Sequence, residues 1–178
     1  DNHYFYDPIV KIESSEKEVF DIEVDHPEHS FVGNGITSHN TLQTISALSY
    51  LWDKYPETPV VIMTTKSALN QWASEFDKFT TGVKCFVISG TKAKRQKIYD
   101  EFFAYTGLKA LIMGYRTACM DFDILQNLKG HVQVFDEATA FKNETTQVHQ
   151  VCAHLSGAAQ KVWSLSATII KNRLMEAW

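Results

Sequence analysis

Two short stretches of the chain carry side chains whose types and spacing suit chemistry. In His39-Asn40-Thr41 three reactive groups are consecutive. The side-chain amide nitrogen of an asparagine can attack its own backbone carbonyl. That forms a succinimide and breaks the bond to the next residue. The reaction is slow unless the carbonyl is polarised and the leaving amine is protonated. A histidine, with an ordinary pKa of about 6.5, suits that work. His39 is adjacent to Asn40, and Thr41 offers a hydroxyl that accepts an acyl group once a base activates it. In the second stretch, Val134-Phe135-Asp136-Glu137-Ala138-Thr139, an apolar run leads into paired carboxylates. In a nucleotide hydrolase, such an Asp136 would hold Mg²⁺ through its water shell and Glu137 would activate the attacking water. Each stretch also has a plainer reading. His-Asn-Thr is a common tripeptide, and an Asp-Glu pair is what a helix N-terminus attracts.

The elements that must position these groups change character at residue 41. Before it, Ile9-Val10-Lys11-Ile12-Glu13 and Val19-Phe20-Asp21-Ile22-Glu23-Val24 alternate as half-buried strands do. Phe31-Val32 and Ile36 predict short strands about a turn at Asn34-Gly35, two residues that tolerate positive φ. Forty residues cannot bury a sufficient core alone, so this segment is expected to complete another chain. After it, helical and strand patterns alternate. Helices are expected over Leu42 to Tyr55, from Ser67 (a fitting N-cap), over Ala93 to Tyr105, from about Arg116 and from about Glu144. Strands are expected at Pro59–Met63, Cys85–Ile88, Ala110–Met113, Val132–Phe135 and Val162–Leu165. Such alternation implies a parallel sheet covered by helices, with ligands at the carboxyl ends of the strands.

The first forty residues resemble the C-terminal splicing block of inteins. The residues that carry this are Val19 to Val24, His29-Ser30-Phe31-Val32, Asn34-Gly35-Ile36 and His39-Asn40-Thr41. The resemblance implies a small all-β piece of the intein horseshoe. It gives Asn40 the cyclising role and His39 that of the penultimate histidine. It makes His29 a general acid or base near the branch point, and has Asp21 tune the acyl-transfer steps. Thr41 becomes the nucleophile of transesterification. Residues 1–40 contain neither the initiating Cys or Ser block nor the Thr-x-x-His block of an N-terminal half. The resemblance therefore implies splicing in trans, with a partner carrying that half.

Residues 41–178 resemble the first lobe of superfamily-two helicases, most closely the Swi/Snf type and phage relatives. The matching residues are Thr41-Leu42-Gln43-Thr44-Ile45, Leu69-Asn70-Gln71-Trp72 with Glu75-Phe76, Gly114-Tyr115-Arg116, Asp136-Glu137-Ala138-Thr139 and Leu165-Ser166-Ala167-Thr168. Two positions depart from many relatives: Thr139 stands where they have histidine, and Ile169 where they have proline. The resemblance implies a RecA-like α/β lobe with helices on both faces of its sheet. It implies ATP and Mg²⁺ as cofactors, contacted by Thr41, Gln43, Asp136, Glu137, Ser166 and Thr168, with Thr41 and Asp136 on the metal side. Lys66, Gln71 and Arg116 become candidates for DNA phosphate contacts, solvated surface being their plainer reading.

The two resemblances meet inside a phosphate-binding loop. Its Gly-x-Gly-Lys would have to arrive on the partner's extein, and DNA would be bound after splicing. The alternatives are a non-catalytic DNA- or partner-binding module with residues 1–40 as a β-rich docking arm, or a plain ATPase with an accessory N-terminal domain. The latter is disfavoured because no Gly-Lys precedes Thr41.

Composition fits a globular chain: of 178 residues, 44% are hydrophobic and 21% charged. A net charge of −4 argues against binding nucleic acid by bulk positive charge, while leaving room for a local basic groove. Cys85, Cys119 and Cys152 fit neither zinc spacing nor a disulfide framework, so buried free thiols in a reducing cytoplasm are expected, in a bacterial or phage-infected cell. No apolar run is long enough for a membrane span, and no signal peptide stands at the start.

Overall fold

A computed structural model describes residues 31–33, 36–38, 40–137 and 146–165; for 31–33, 36–38 and 40 it describes the backbone. Two strands come first, β1 (Phe31–Gly33) and β2 (Ile36–Ser38). They pair antiparallel, with Phe31 opposite Ser38 and Gly33 opposite Ile36. The turn expected at Asn34-Gly35 falls between these strands, on residues outside the described ones. The expected strands at 9–13 and 19–24 lie outside the described residues, and so does the rest of an all-β fragment.

From Asn40 onward helices and strands alternate. They are α1 (Asn40–Lys54), β3 (Val60–Thr64), α2 (Leu69–Phe79), β4 (Lys84–Val87), α3 (Lys92–Ala104) and β5 (Lys109–Gly114). There follow α4 (Tyr115–Met120), α5 (Phe122–Leu125), β6 (Val132–Asp136), α6 (Gln147–Ala158) and β7 (Lys161–Leu165). The five later strands form one parallel sheet in the order β4-β5-β3-β6-β7.

The near-continuous apolar strands are those covered on both sides, as a parallel sheet requires. All five residues of β3 are buried. Side chains alternate between two cores. Val60, Ile62, Ala110, Ile112, Val132 and Val134 pack with α1 and α2. Val61, Met63, Leu111, Met113 and Phe135 pack with α3 to α6. Helix α2 shows how the pattern is used: Leu69, Trp72 and Phe76, spaced three and four apart, are its buried stripe. Thr91 and Thr146 cap α3 and α6 by accepting from the backbone N–H of Lys94 and His149.

Some expectations need correction. Helix α1 begins at Asn40 rather than Leu42, so it runs across the junction of the two resemblances. Ser67 does not cap α2: the capping position is Ala68, which makes no side-chain cap bond. The Ser67 hydroxyl instead pairs with that of Thr65 at 3.1 Å, inside the turn that leads to the helix. Helix α6 starts at Gln147, and Glu144 lies outside the described residues. Helix α5 was not foreseen, because four residues show no period. All three cysteines are free, but only Cys152 is buried, and Cys85 and Cys119 are half-buried. Burial pushes the Cys85 and Cys152 thiols up to about 12, which keeps them neutral and unreactive near pH 7.

Two buried polar groups stand out. Arg95, on α3, holds Asp121 with two parallel bonds of 2.6 Å, from Nε to Oδ2 and from Nη2 to Oδ1. Its Nη1 donates to the Gly90 carbonyl at 2.8 Å. This fork ties the start of α3 to the end of α4. Removing one partner of a buried pair leaves the other charge uncompensated, at a typical cost of about 3–5 kcal/mol. Asp121→Ala is therefore expected to lower unfolding stability by about that amount in urea titration. At the amino end of β6, His131 is fully buried, and its Nδ1 has no hydrogen-bond partner. Burial lowers its pKa from 6.5, while Gln133 partly opposes this. The unfolded chain then takes up a proton that the folded chain refuses. The resulting stability is present above pH 6.5 and lost as pH falls through the depressed folded pKa. The urea midpoint should drop on acidification below pH 6.5, and His131→Gln should flatten that slope.

Candidate functional site

Asp136 is the last residue of β6, at the carboxyl edge of the sheet. Three neighbouring elements fix it there. The Thr64 hydroxyl, at the end of β3, donates to Asp136 Oδ2 at 2.7 Å. The indole N–H of Trp72, on α2, donates to the same oxygen at 2.7 Å. Tyr115, directly after β5, donates its hydroxyl to the Asp136 carbonyl oxygen at 2.7 Å. Both side-chain donors land on Oδ2, and Oδ1 takes part in neither bond. The carboxylate is thus held in one orientation with an oxygen left for another ligand. Bonds to an ionised acceptor are worth about 1.5–3 kcal/mol each.

Glu137 follows with φ of 54°, the left-handed region, and is exposed. That conformation costs a non-glycine residue about 1–2 kcal/mol and turns the chain sharply off the strand. Tyr115 is buried beside this pair. Burial first, then Cys152 and the carboxylates of Asp136 and Glu137, push its phenol up, so it stays protonated and able to donate.

Thr41 sits in the first turn of α1, half-buried, and Gln43 is exposed in the same turn. At the other end of α1, Trp52 donates to the Thr58 carbonyl at 2.8 Å, just before β3 begins. The helix therefore runs back against the strand direction. Its N-terminus points to the same carboxyl edge as Asp136, and no acidic residue occupies its first turn. Free N–H groups at such an end favour an anion. Lys66, Gln71 and Arg116 are all exposed and follow β3 or β5 on this edge. A concavity lined by Gln126, Lys129 and His154 lies at the opposite edge, where β6 begins.

The structure thus brings Asp136 and Glu137 together and sets Thr41 and Gln43 on a helix aimed at their edge. Asn40 is described only as the first residue of α1. Asp21, His29, His39, Ser166 and Thr168 lie outside the described residues, with Ser166 next in sequence after β7. Magnesium takes oxygen ligands and usually needs only one or two carboxylates beside phosphates and water. A carboxylate whose Oδ2 is already anchored fits that need. Sequence reasoning missed Thr64, Trp72 and Tyr115 as the supports of Asp136. Trp72 and Tyr115 entered the sequence reading only as members of the helicase-like motifs, with no partner assigned to them. Only the rule that a buried indole N–H or phenol seeks a partner hinted at more.

The model of the SNF2-related domain matches residues 35–178. The chain belongs to the SNF2-related domain family. Among its relatives, it is 32% identical over 139 residues to the ISWI chromatin-remodeling complex ATPase ISW2 of Saccharomyces cerevisiae, covering 78% of this chain and 12% of that protein. It is 26% identical over 148 residues to the mouse chromodomain-helicase-DNA-binding protein 1-like, covering 83% of this chain and 16% of that one. The chain therefore spans a small part of the curated relatives it matches. The solved Sulfolobus solfataricus SWI2/SNF2 ATPase core in complex with dsDNA shares the fold, with a TM-score of 0.62 at 23% identity over 78% of this chain and 27% of that one. The parallel sheet with helices on both faces is thus the RecA-like lobe of an SNF2 domain. Among the described residues no helix is long and apolar enough to cross a membrane.

The Trp72 contact can be tested in the chain as it stands. Trp72→Phe keeps an aromatic ring in the core but deletes the donor to Asp136. It should cost about 1.5–3 kcal/mol in denaturant unfolding, the worth of a bond to a charged acceptor. In the same background, Asp136→Asn should reduce that cost.

Proposed function

We propose that the chain is a trans-splicing precursor. Residues 1–40 form the C-terminal half of a split intein, and residues 41–178 form the ATP-binding lobe of an SNF2-type DNA helicase or translocase. One observation carries the reading. The family match runs through Thr41, yet the positions of a Gly-x-Gly-Lys-Thr loop, counted back from Thr41, hold Thr37, Ser38, His39 and Asn40. Residues of the splicing block stand where the phosphate cradle would be, and Thr37 and Ser38 among them belong to β2, paired with β1.

The chemistry follows from the groups in order. The partner's initiating Cys or Ser carries the N-extein as a thioester or ester. The Thr41 hydroxyl attacks that carbonyl, and the bond to the partner's sulfur or oxygen breaks. His29 and Asp21 act in this acyl transfer. The Asn40 side-chain nitrogen then attacks its own carbonyl while His39 assists, which frees the Thr41 amine. The ester moves to that amine and becomes a peptide bond. No oxidant or external cofactor is needed.

The joined chain would have a complete loop ahead of α1, an ATP site. Magnesium, when bound, would neutralise charge on the phosphates. Thr41 and Asp136 would face that ion, Gln43 the nucleotide, and Glu137 would take the proton of the attacking water. Ser166 and Thr168, after β7, would couple the nucleotide to the DNA side. Lys66, Gln71 and Arg116 would contact DNA phosphates. The double-stranded DNA in the Sulfolobus complex and the remodelling ATPases among the relatives support this direction.

The test mixes the chain with an N-terminal intein half whose extein ends in Gly-x-Gly-Lys and reads intact masses. A ligated product continuing from Thr41, with a released fragment ending in a succinimide at Asn40, is expected. Asn40→Ala should still bind the partner but release no fragment. The unspliced chain should hydrolyse no ATP above background. The joined chain should do so, and Glu137→Gln should lower its kcat by about 10²–10⁴. Robust hydrolysis by the pure unspliced chain would overturn the reading.

A further inference from the structure

Asp136 can offer a cation only one of its oxygens. A carboxylate oxygen has about two lone-pair sites. On Oδ2 both are taken, by the Thr64 hydroxyl and by the Trp72 indole N–H, each at 2.7 Å. The donors are themselves locked: Thr64 is fully buried, and Trp72 is 1% exposed in the stripe that seats α2. The main chain is held as well, because the buried Tyr115 donates to the Asp136 carbonyl at 2.7 Å. To turn both oxygens toward one ion, the carboxylate would have to break two charge-assisted bonds beside a packed core.

The neighbourhood supplies little else. Glu137 is exposed and leaves the strand through a left-handed turn. Among the described residues, no group of three or more His, Cys, Asp or Glu is placed to hold a metal ion. A cation on Asp136 would therefore complete its shell with hydroxyl, phosphate and water oxygens. That set suits a small ion with a rigid shell. Mg²⁺ needs one or two carboxylate ligands beside phosphates and keeps several waters. Ca²⁺ takes about six to eight oxygens and readily uses both oxygens of one carboxylate. A clamp on Oδ2 denies it the second.

We infer that Thr64 and Trp72 select the metal: by occupying Oδ2 they hold Asp136 to a single ligating oxygen and so favour Mg²⁺ over Ca²⁺. Both are positioning residues, since each acts through Asp136. The selection rests on the reading of Asp136 as the metal carboxylate of an ATP site, and needs no splicing step. A purely structural role for the two donors has a different signature. Losing either would then weaken every divalent cation alike.

The experiment follows Mn²⁺ binding through the loss of its free-ion paramagnetic resonance signal, and competes it with Mg²⁺ and with Ca²⁺. It is run on the joined chain with ADP, expressed as one continuous polypeptide, and on the full unjoined chain without nucleotide. The binding that Asp136→Asn abolishes defines the site. Mg²⁺ should displace that Mn²⁺ at lower concentration than Ca²⁺ does. Trp72→Phe and Thr64→Val should each lower this preference about tenfold, the usual scale for the partners of a metal ligand. Thr64→Ser, which keeps the hydroxyl donor, should retain it. Equal weakening of both ions, with the preference unchanged, overturns the selection and leaves the ATP site standing. A joined chain that takes up no Mn²⁺ with ADP overturns the ATP-site reading instead, and the same ratio in the full chain then decides the selection. Absence of Asp136-dependent Mn²⁺ binding from both chains overturns both.

Discussion

The Asp136 carboxylate is where separate parts of the lobe are tied together. Thr64 reaches it from the end of β3 and Trp72 from α2, and Tyr115 holds its carbonyl from the start of α4. Those contacts span sequence separations of 72, 64 and 21 residues. A carboxylate at a sheet edge is ordinarily solvated and free to rotate. Here two donors on a single oxygen select one orientation, and one of them comes from the middle of the buried stripe of α2. The packing of a core helix and the placement of a site residue are therefore the same event.

The two-sided sheet makes this possible. Because β3, β5 and β6 are buried on both faces, their carboxyl ends are rigid. Each leads into a polar side chain that shapes the site, namely Thr64 on β3, Tyr115 just after β5 and Asp136 on β6. The left-handed Glu137 turns the chain away just beyond the last of them. Thr41 is brought to the same edge by the reversed run of α1. The site is thus assembled by strand ends and helix ends rather than by any one loop.

Much was legible in the sequence by itself. The apolar run at 59–63 read as a buried parallel strand and the runs at 110–113 and 132–135 as further strands, and the sheet holds all three. The acids at 136 and 137 were read at the carboxyl end of such a strand, and Asp136 does end β6. These readings are local: they depend on period, turn chemistry and residue type within a few positions. Tertiary structure decided the rest. Strand order and the hand of the crossovers have no local signal. The start of α1 at Asn40 and the failure of Ser67 to cap α2 were set by how the chain packs, which overrides weak propensities. Above all, that Trp72 and Thr64 meet on one oxygen of Asp136 follows from β3 lying beside β6, a neighbourhood that spacing along the chain cannot express.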